Sequence, residues 1–227
     1  MKLNYIKNDS TLNIFTDASV KVKNKNIFDV CYGAVAVCRD TIIDEIYRIN
    51  SNSTVNEGEA NGILAGILFA LKYRDKFKVV NLFSDSLISV NNLNIGVYKW
   101  YTIDGKLCRT NGDPIVKNSS TYLQILNIIS RNNLRVNIYH MKGHINPNKT
   151  KELYKGITTF IKSNNFIDRD WELDFIKYLS IWNDYVDNRT RITLKVNTKK
   201  YINPIKFVPN SETGEIIGKY LLLKEEY

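Results

Sequence analysis

Leu12–Ser19 reads Leu-Asn-Ile-Phe-Thr-Asp-Ala-Ser, and apolar and polar residues alternate along it up to Asp17 in the manner of a β-strand with one buried face. A carboxylate closes the run, small and hydroxyl residues follow, and the Lys-rich segment Lys21–Lys25 comes next. A strand that ends on Asp fixes a negative charge on rigid backbone at a sheet edge, where a divalent metal can be held. Asp at a strand end equally serves as a turn former or helix cap. Asp17 therefore gains a role only if the rest of the chain brings partners to it.

Outward from that stretch, a polar, basic loop is expected after Asp17. Val30–Arg39 and Thr41–Ile49 are rich in β-branched and aromatic residues with only Asp40 between them, which predicts an antiparallel hairpin. With Leu12–Asp17 it makes a three-stranded meander. Gly33 inside the second strand marks a bulge or a close backbone approach.

From Glu57 to about Arg74 the apolar residues Ala60, Ile63, Leu64, Ile67, Leu68 and Leu71 recur at helical spacing. Glu59 falls in the first turn of this helix, where an acid also suits the helix dipole. Gly62 and Gly66 cost helix stability and would let the helix lie close on the sheet. Lys78–Phe83 is a short apolar run ending in Ser84-Asp85-Ser86, a buried strand leading into a helix up to Leu93. Asp85 is a second strand-terminal carboxylate, or an N-cap. Asn94–Ser120 is mixed, Thr121–Ile129 is an amphipathic helix, and Arg135–Met141 is a fifth strand leaving through Lys142-Gly143-His144. Helical patterns follow over Lys151–Lys162 and Trp171–Leu179, then Asn183-Asp184-Tyr185-Val186-Asp187, with Asp187 on or entering a helix. From Ile192 the alternation Ile192, Leu194, Val196 predicts strand.

The totals fit one sizeable core, or one core plus a small appendage. Of 227 residues, 44% are hydrophobic and 24% charged, ordinary for a globular domain. A net charge of +9 and a pI near 9.3 favour a polyanionic partner, nucleic acid before an anionic membrane surface. No apolar run approaches a membrane span, and the N-terminus has no secretory h-region. Three cysteines (Cys31, Cys38, Cys108) lack metal-type spacing, consistent with thiols in a reducing, cytoplasmic compartment.

Carboxylates thus stand at four places: Asp17, Glu59, Asp85 and Asp187. In a mixed sheet with the first and fourth strands adjacent, Asp17 and Asp85 meet at one end, and a crossing helix brings Glu59 beside them. Clustered carboxylates repel unless cations are present. All-oxygen ligands suit Mg²⁺ or Mn²⁺, and two such ions about 4 Å apart serve in-line displacement at phosphate.

In these motifs the chain resembles the ribonuclease H family in its type 1, cellular and retroviral, form. Thr16-Asp17-Ala18-Ser19 resembles the first-strand motif, with Ala18 where many members have Gly. Thr54-Val55-Asn56-Glu57-Gly58-Glu59 resembles the polar turn into the helix, which makes Glu59 and not Glu57 the ligand. Ser84-Asp85-Ser86 resembles the fourth-strand motif, Lys142-Gly143-His144 the exit of the fifth strand, and Asn183–Asp187 the closing helix, with Asp187 and not Asp184 as the fourth acid. Trp100 and Gly112–Asn118 resemble the family's basic protrusion. Leu87 and Val55 depart from the usual polar residues. His144 and Asn183 stand 39 positions apart, where relatives have only a handful.

The resemblance implies an α/β fold, a five-stranded mixed sheet of three antiparallel and two parallel strands flanked by helices. The domain would span 1–191 with a basic helical insertion at about 146–181 (Lys149, Lys151, Lys155, Lys162, Arg169), and 192–227 would be an extension of unreadable role. It implies a monomeric endonuclease that cuts the RNA strand of RNA–DNA hybrids with two Mg²⁺ or Mn²⁺ ions, leaving 5′-phosphates, alone or beside replication or reverse-transcription machinery. Asp17, Glu59, Asp85 and Asp187 would hold metal and His144 would move protons. Ser19, Asn56, Trp100, Lys117 and Asn118 would contact nucleic acid, while His140 is structural. Two alternatives stay open: a resolvase or exonuclease on the same sheet, and a non-catalytic hybrid or double-stranded RNA binder.

Overall fold

The first strand, β1, spans Thr11–Asn24 and sits at the centre of the molecule. The computed structural model describes residues 2–24, 27–94, 100–103, 106–109, 111, 113, 118–166 and 171–196. A short helix α1 (Leu3–Ile6) precedes β1, and β2 (Ile27–Cys38) and β3 (Thr41–Ser53) complete an antiparallel meander. Helix α2 (Val55–Lys72) crosses to β4 (Val79–Ser84), followed by α3 (Leu87–Asn94), the small pair β5 (Tyr101–Ile103) and β6 (Lys106–Cys108), and α4 (Ser119–Arg131). Strand β7 (Asn137–His140) and helices α5 (Thr150–Ser163) and α6 (Leu173–Val196) close the described chain. The main sheet has the order β3-β2-β1-β4-β7, with β4 parallel to β1 and β7 parallel to β4. This is the expected mixed sheet of three antiparallel and two parallel strands. Among the described residues no helix is long and apolar enough to cross a membrane.

Alternation along β1 assigns its two faces. Leu12 and Ile14 enter an aliphatic core with α2 and α4. Phe15 enters an aromatic one with α5 and α6. Asn13, on the Phe15 side, is fully buried and donates to the Ile6 carbonyl at 2.6 Å, which anchors α1 to the strand.

Helix α2 starts at Thr54, whose side chain accepts from the Glu57 N–H at 3.2 Å, an N-cap of the usual kind. It lies close on the sheet because its glycines allow it. A Cβ on Gly62 would stand 3.4 Å from the Gly33 carbonyl oxygen, and one on Gly66 would stand 2.7 Å from Leu82 Cδ1. Gly33 itself is a close approach and not a bulge. The Tyr47 ring occupies the space its Cβ would take, while the register shifts of β2 on β3 fall at Phe28/Asp29 and Ala36/Val37.

Three expectations are corrected. The basic loop after Asp17 is strand: β1 continues to Asn24, with Val20 opposite Val30 and Val22 opposite Phe28. Lys21, between the two valines, masks an alternation that carries on. The run Ile192–Val196 is helix, because Val186, Thr190 and Leu194 share one face at intervals of four and are buried, while Ile192 and Val196 are exposed. The stretches Trp171–Leu179 and Asn183–Arg189 belong to that same helix, so the boundary expected at 191/192 falls inside α6. Residues 197–227, Lys117 and Arg169 lie outside the described residues.

Candidate metal centre and nucleic-acid interface

The site forms where β1 outruns its neighbour. Strand β4 ends at Ser84, paired with Thr16, while β1 continues eight residues further on, to Asn24. Asp17 is therefore within its strand, not at its end as expected, but it is the first residue beyond the β4 pairing. Asp85 follows the last residue of β4. Glu59, in the second turn of α2, comes over the sheet at the same level. One oxygen from each of Asp17, Glu59 and Asp85 lies within 4.8 Å of the others. That is a ligand set for one hard cation.

Asp187 joins from α6. It is buried, and its Oδ1 faces the Ser19 hydroxyl at 3.4 Å, while Ser19 shares a 2.7 Å hydrogen bond with Thr190. Its other oxygen meets the Arg191 guanidinium at 2.6 Å and His144 Nδ1 at 3.8 Å. Asp184, one turn back and half-buried, is not among the three clustered oxygens.

The electrostatics demand a counter-charge. Burial first, then repulsion from Asp85 and Asp187, pushes the Asp17 carboxyl up to about 8. Burial and the Asp17 and Asp85 charges hold Glu59 well above the carboxylate range, against a hydrogen bond from the Ala18 N–H. Burial also raises Asp85, while His144 lowers it. Glu59 Oε2 is buried without a hydrogen-bond partner. A desolvated oxygen without a donor, among like charges, is the expected condition of a metal ligand lacking its metal. The donor set, all carboxylate oxygen, fits Mg²⁺ or Mn²⁺.

Glycine and two polar residues hold the far wall. A Cβ on Gly143 would collide with Asp85 Oδ2 and lie 3.2 Å from its Cγ, so the Lys-Gly-His turn packs directly on the carboxylate. His144 adopts φ 52 and leaves 69% of its side chain exposed. His140 is buried, as expected of a structural residue, and burial lowers its imidazole while a hydrogen bond to the Asp85 backbone raises it. Asn164, just after α5, accepts from the His140 N–H at 2.8 Å and donates to its carbonyl at 2.7 Å, satisfying the free edge of β7.

The proposed nucleic-acid contacts are spread out. Ser19 is beside Asp187, and Asn56 is exposed at the start of α2. Trp100 packs on Tyr122 with ring centroids 5.7 Å apart, and Asn118 precedes α4 at φ 59. The exposed lysines Lys151, Lys155 and Lys162 mark the solvent side of α5, with Leu153, Ile157 and Phe160 buried on the other. Sequence reading missed Lys21, Arg191 and Lys195, which line the same cavity of about 600 Å³ as the carboxylates. The spacing of Arg191 four residues after Asp187 was the available signal.

A family model described as RNase H matches residues 9–164, a stretch that includes Asp17, Glu59, Asp85 and His144 and ends before α6. Comparison with curated proteins finds no match. Among solved structures, foamy viral protease-reverse transcriptase in complex with RNA/DNA hybrid is 15% identical, with a TM-score of 0.50 over 82% of this chain and 21% of that one. RNase H1 from the halophilic archaeon Halobacterium salinarum is 16% identical, with a TM-score of 0.42 over 58% of this chain and 86% of that one. LC11-RNase H1 in complex with RNA/DNA hybrid is 17% identical, with a TM-score of 0.43 over 58% and 85%. The family match over most of the chain, on this sheet order and with three of its acids drawn together, makes the protein a member of the ribonuclease H family.

Proposed function

We propose that the protein is a metal-dependent endonuclease that hydrolyses the RNA strand of RNA–DNA hybrids and leaves 5′-phosphates. The observation that carries this reading is the convergence of Asp17, Glu59 and Asp85 within 4.8 Å, with Asp187 beside Asp17 and a buried Glu59 oxygen that has no hydrogen-bond partner. Asp17, Glu59 and Asp85 would hold one cation, and Asp17 with Asp187 a second. Two such ions supply Lewis acidity and a water of lowered pKa.

The chain's own residues do the rest. Ser19 and Thr190 orient Asp187 through their hydroxyls. Gly143 lets the turn press directly on the Asp85 carboxylate. His144, exposed and 3.8 Å from Asp187, is placed to carry a proton to the departing 3′-oxygen or away from the attacking water. Asn56 and the backbone near Glu59 are candidates to read 2′-hydroxyls in the wide minor groove of the hybrid. Trp100, Lys117 and Asn118 would hold the DNA strand, chiefly through phosphates.

Labelled RNA–DNA hybrid, double-stranded RNA, double-stranded DNA and single-stranded RNA, each offered with Mg²⁺ or Mn²⁺, test the reading. Hybrid RNA should be cut internally and the other three spared. Equal cleavage of double-stranded DNA, or none of the hybrid, overturns it. Asp17→Asn should lower turnover by about a thousandfold or more and leave hybrid binding largely intact; normal rates in that variant would falsify the metal-site assignment.

A further inference from the structure

The groove that holds the carboxylates does not stop at them. Strand β1 and helix α6 both run on past the acids, side by side. On β1, Asp17, Ser19 and Lys21 follow one another on the same face. On α6, Asp187, Arg191 and Lys195 recur every four residues. The two rows are tied together midway by Ser19, whose hydroxyl bonds Thr190 at 2.7 Å. The result is one cavity with Asp17, Glu59, Asp85 and Asp187 at one end, Arg191 in contact with Asp187, and Lys21 and Lys195 further along β1 and α6, lined also by buried Leu194. Its charge reverses along its length.

We infer that Lys21, Arg191 and Lys195 form a phosphate subsite for the strand being cut, occupied by backbone a few nucleotides from the scissile bond. The inference rests on the hybrid-nuclease reading above and adds to it a binding site on the cut strand. From Asp187 to Lys195 the helix rises about 12 Å, the length of roughly three to four nucleotides at the rise of one strand. The groove is continuous with the carboxylates, so the strand lying in it is the one whose phosphate reaches them. Arg191 pairs with Asp187 at 2.6 Å and leaves half of its side chain exposed. Once a cation neutralises Asp187, the guanidinium has a phosphate oxygen as its natural partner, and its fork suits bidentate contact. Cations in the last turns of a helix also complement the helix dipole. That accounts for Lys195 but not for Lys21, which faces it from a strand. The subsite exists because β1 extends to Asn24 and α6 to Val196.

The test compares Asp17→Asn with the triple variant Asp17→Asn/Lys21→Ala/Lys195→Ala, so that binding is measured without turnover. Fluorescence anisotropy of a labelled hybrid is recorded against salt. Loss of two phosphate contacts should weaken binding about tenfold near 0.1 M salt and flatten the log–log salt slope by roughly 1.5 to 2. Lys21→Arg/Lys195→Arg in the same background should restore the slope. An unchanged slope in a variant with unchanged thermal midpoint overturns the subsite. In the Asp17 wild-type background, Lys21→Ala/Lys195→Ala should lose its cleavage deficit on hybrids too short to reach the basic end. A deficit independent of hybrid length also overturns it. If the unmutated enzyme cuts no hybrid, the nuclease reading fails, and the salt slopes on hybrid and on single-stranded RNA still decide the subsite separately.

Discussion

The two faces of the central sheet are built from different materials, and each delivers its acids differently. On the α2 face the packing is aliphatic and close: Leu12, Ile14, Ile63, Leu64, Ile67 and Leu82 are buried there, and glycines let the helix backbone approach the strands. On the α6 face the packing is aromatic. Phe15 stacks on Phe83 at 5.1 Å, and Phe160 sits among Phe166, Trp171 and Phe175 at 5.3 to 5.8 Å. Glu59 is carried to the site by a helix that has no room to move. Asp187 is carried by a long helix riding on rings, and its position is fixed locally by Ser19 and Thr190. Small residues set a distance, whereas large rings fill one. The face that holds Glu59 should therefore tolerate little added volume, and the face that holds Asp187 little removed volume.

Removal on the aromatic face is the most severe way to break this contrast. Phe160 is fully buried, and Phe160→Ala should cost about 3–5 kcal/mol. Hydrogen exchange should then show α5 and α6 losing protection while α2 and β1 keep theirs. Equal loss on both faces would show that the sheet does not separate them.

The shared acid cluster gives the next effect. The folded Asp17 value of about 8 lies above the ordinary 3.8, so between those limits the folded state holds a proton that the unfolded chain has released. Without divalent metal, stability is greatest below about pH 4 as far as this group is concerned, and falls as pH rises through 8. The loss should reach on the order of a few kcal/mol. Thermal midpoints in chelator across pH 5 to 8.5 should show it, Mg²⁺ should flatten it, and Asp17→Asn should remove most of it (about 1.4 kcal/mol per pH unit at the steepest). A metal-free midpoint that rises over this range contradicts the assignment.

Addition on the glycine face should be mildest. A Cβ on Gly66 meets Leu82 at 2.7 Å and Ile14 and Thr16 at 3.1 Å. Overpacking costs about 1–3 kcal/mol against about 1 gained in helix propensity, so Gly66→Ala should lower the melting midpoint by about 2–4 °C. A rise in midpoint would show that the helix has slack to give. The calorimetric affinity for Mn²⁺ should fall with it if the approach of α2 is what sets Glu59.

The five strands of the main sheet, their parallel and antiparallel pairing and the helices between them were legible, because they rest on local alternation, helical periodicity and short motifs, whereas α1 and the β5–β6 pair were not. Gly62 and Gly66 were legible as a close approach for the same reason. Ends were less legible. Lys21 hid the continuation of β1, since a solvent-facing strand position accepts any charge. Ile192, Leu194 and Val196 fit both a period of two and a helix, and only the burial of Leu194 against exposed Ile192 distinguishes them. Arg191 was visible as a residue but not as a partner of Asp187, because that pairing needs the helix to continue.

By itself, then, the chain determined which residues are acids and which strand or helix carries each of them, since those follow from backbone periodicity and residue chemistry along the sequence. Tertiary structure decided where β1 and α6 stop, and so that the acid pocket opens into a groove lined by Lys21, Arg191 and Lys195. Strand and helix lengths beyond the core are set by what packs against them, and that partner lies some 170 residues away in the chain, as Ser19 to Thr190 shows.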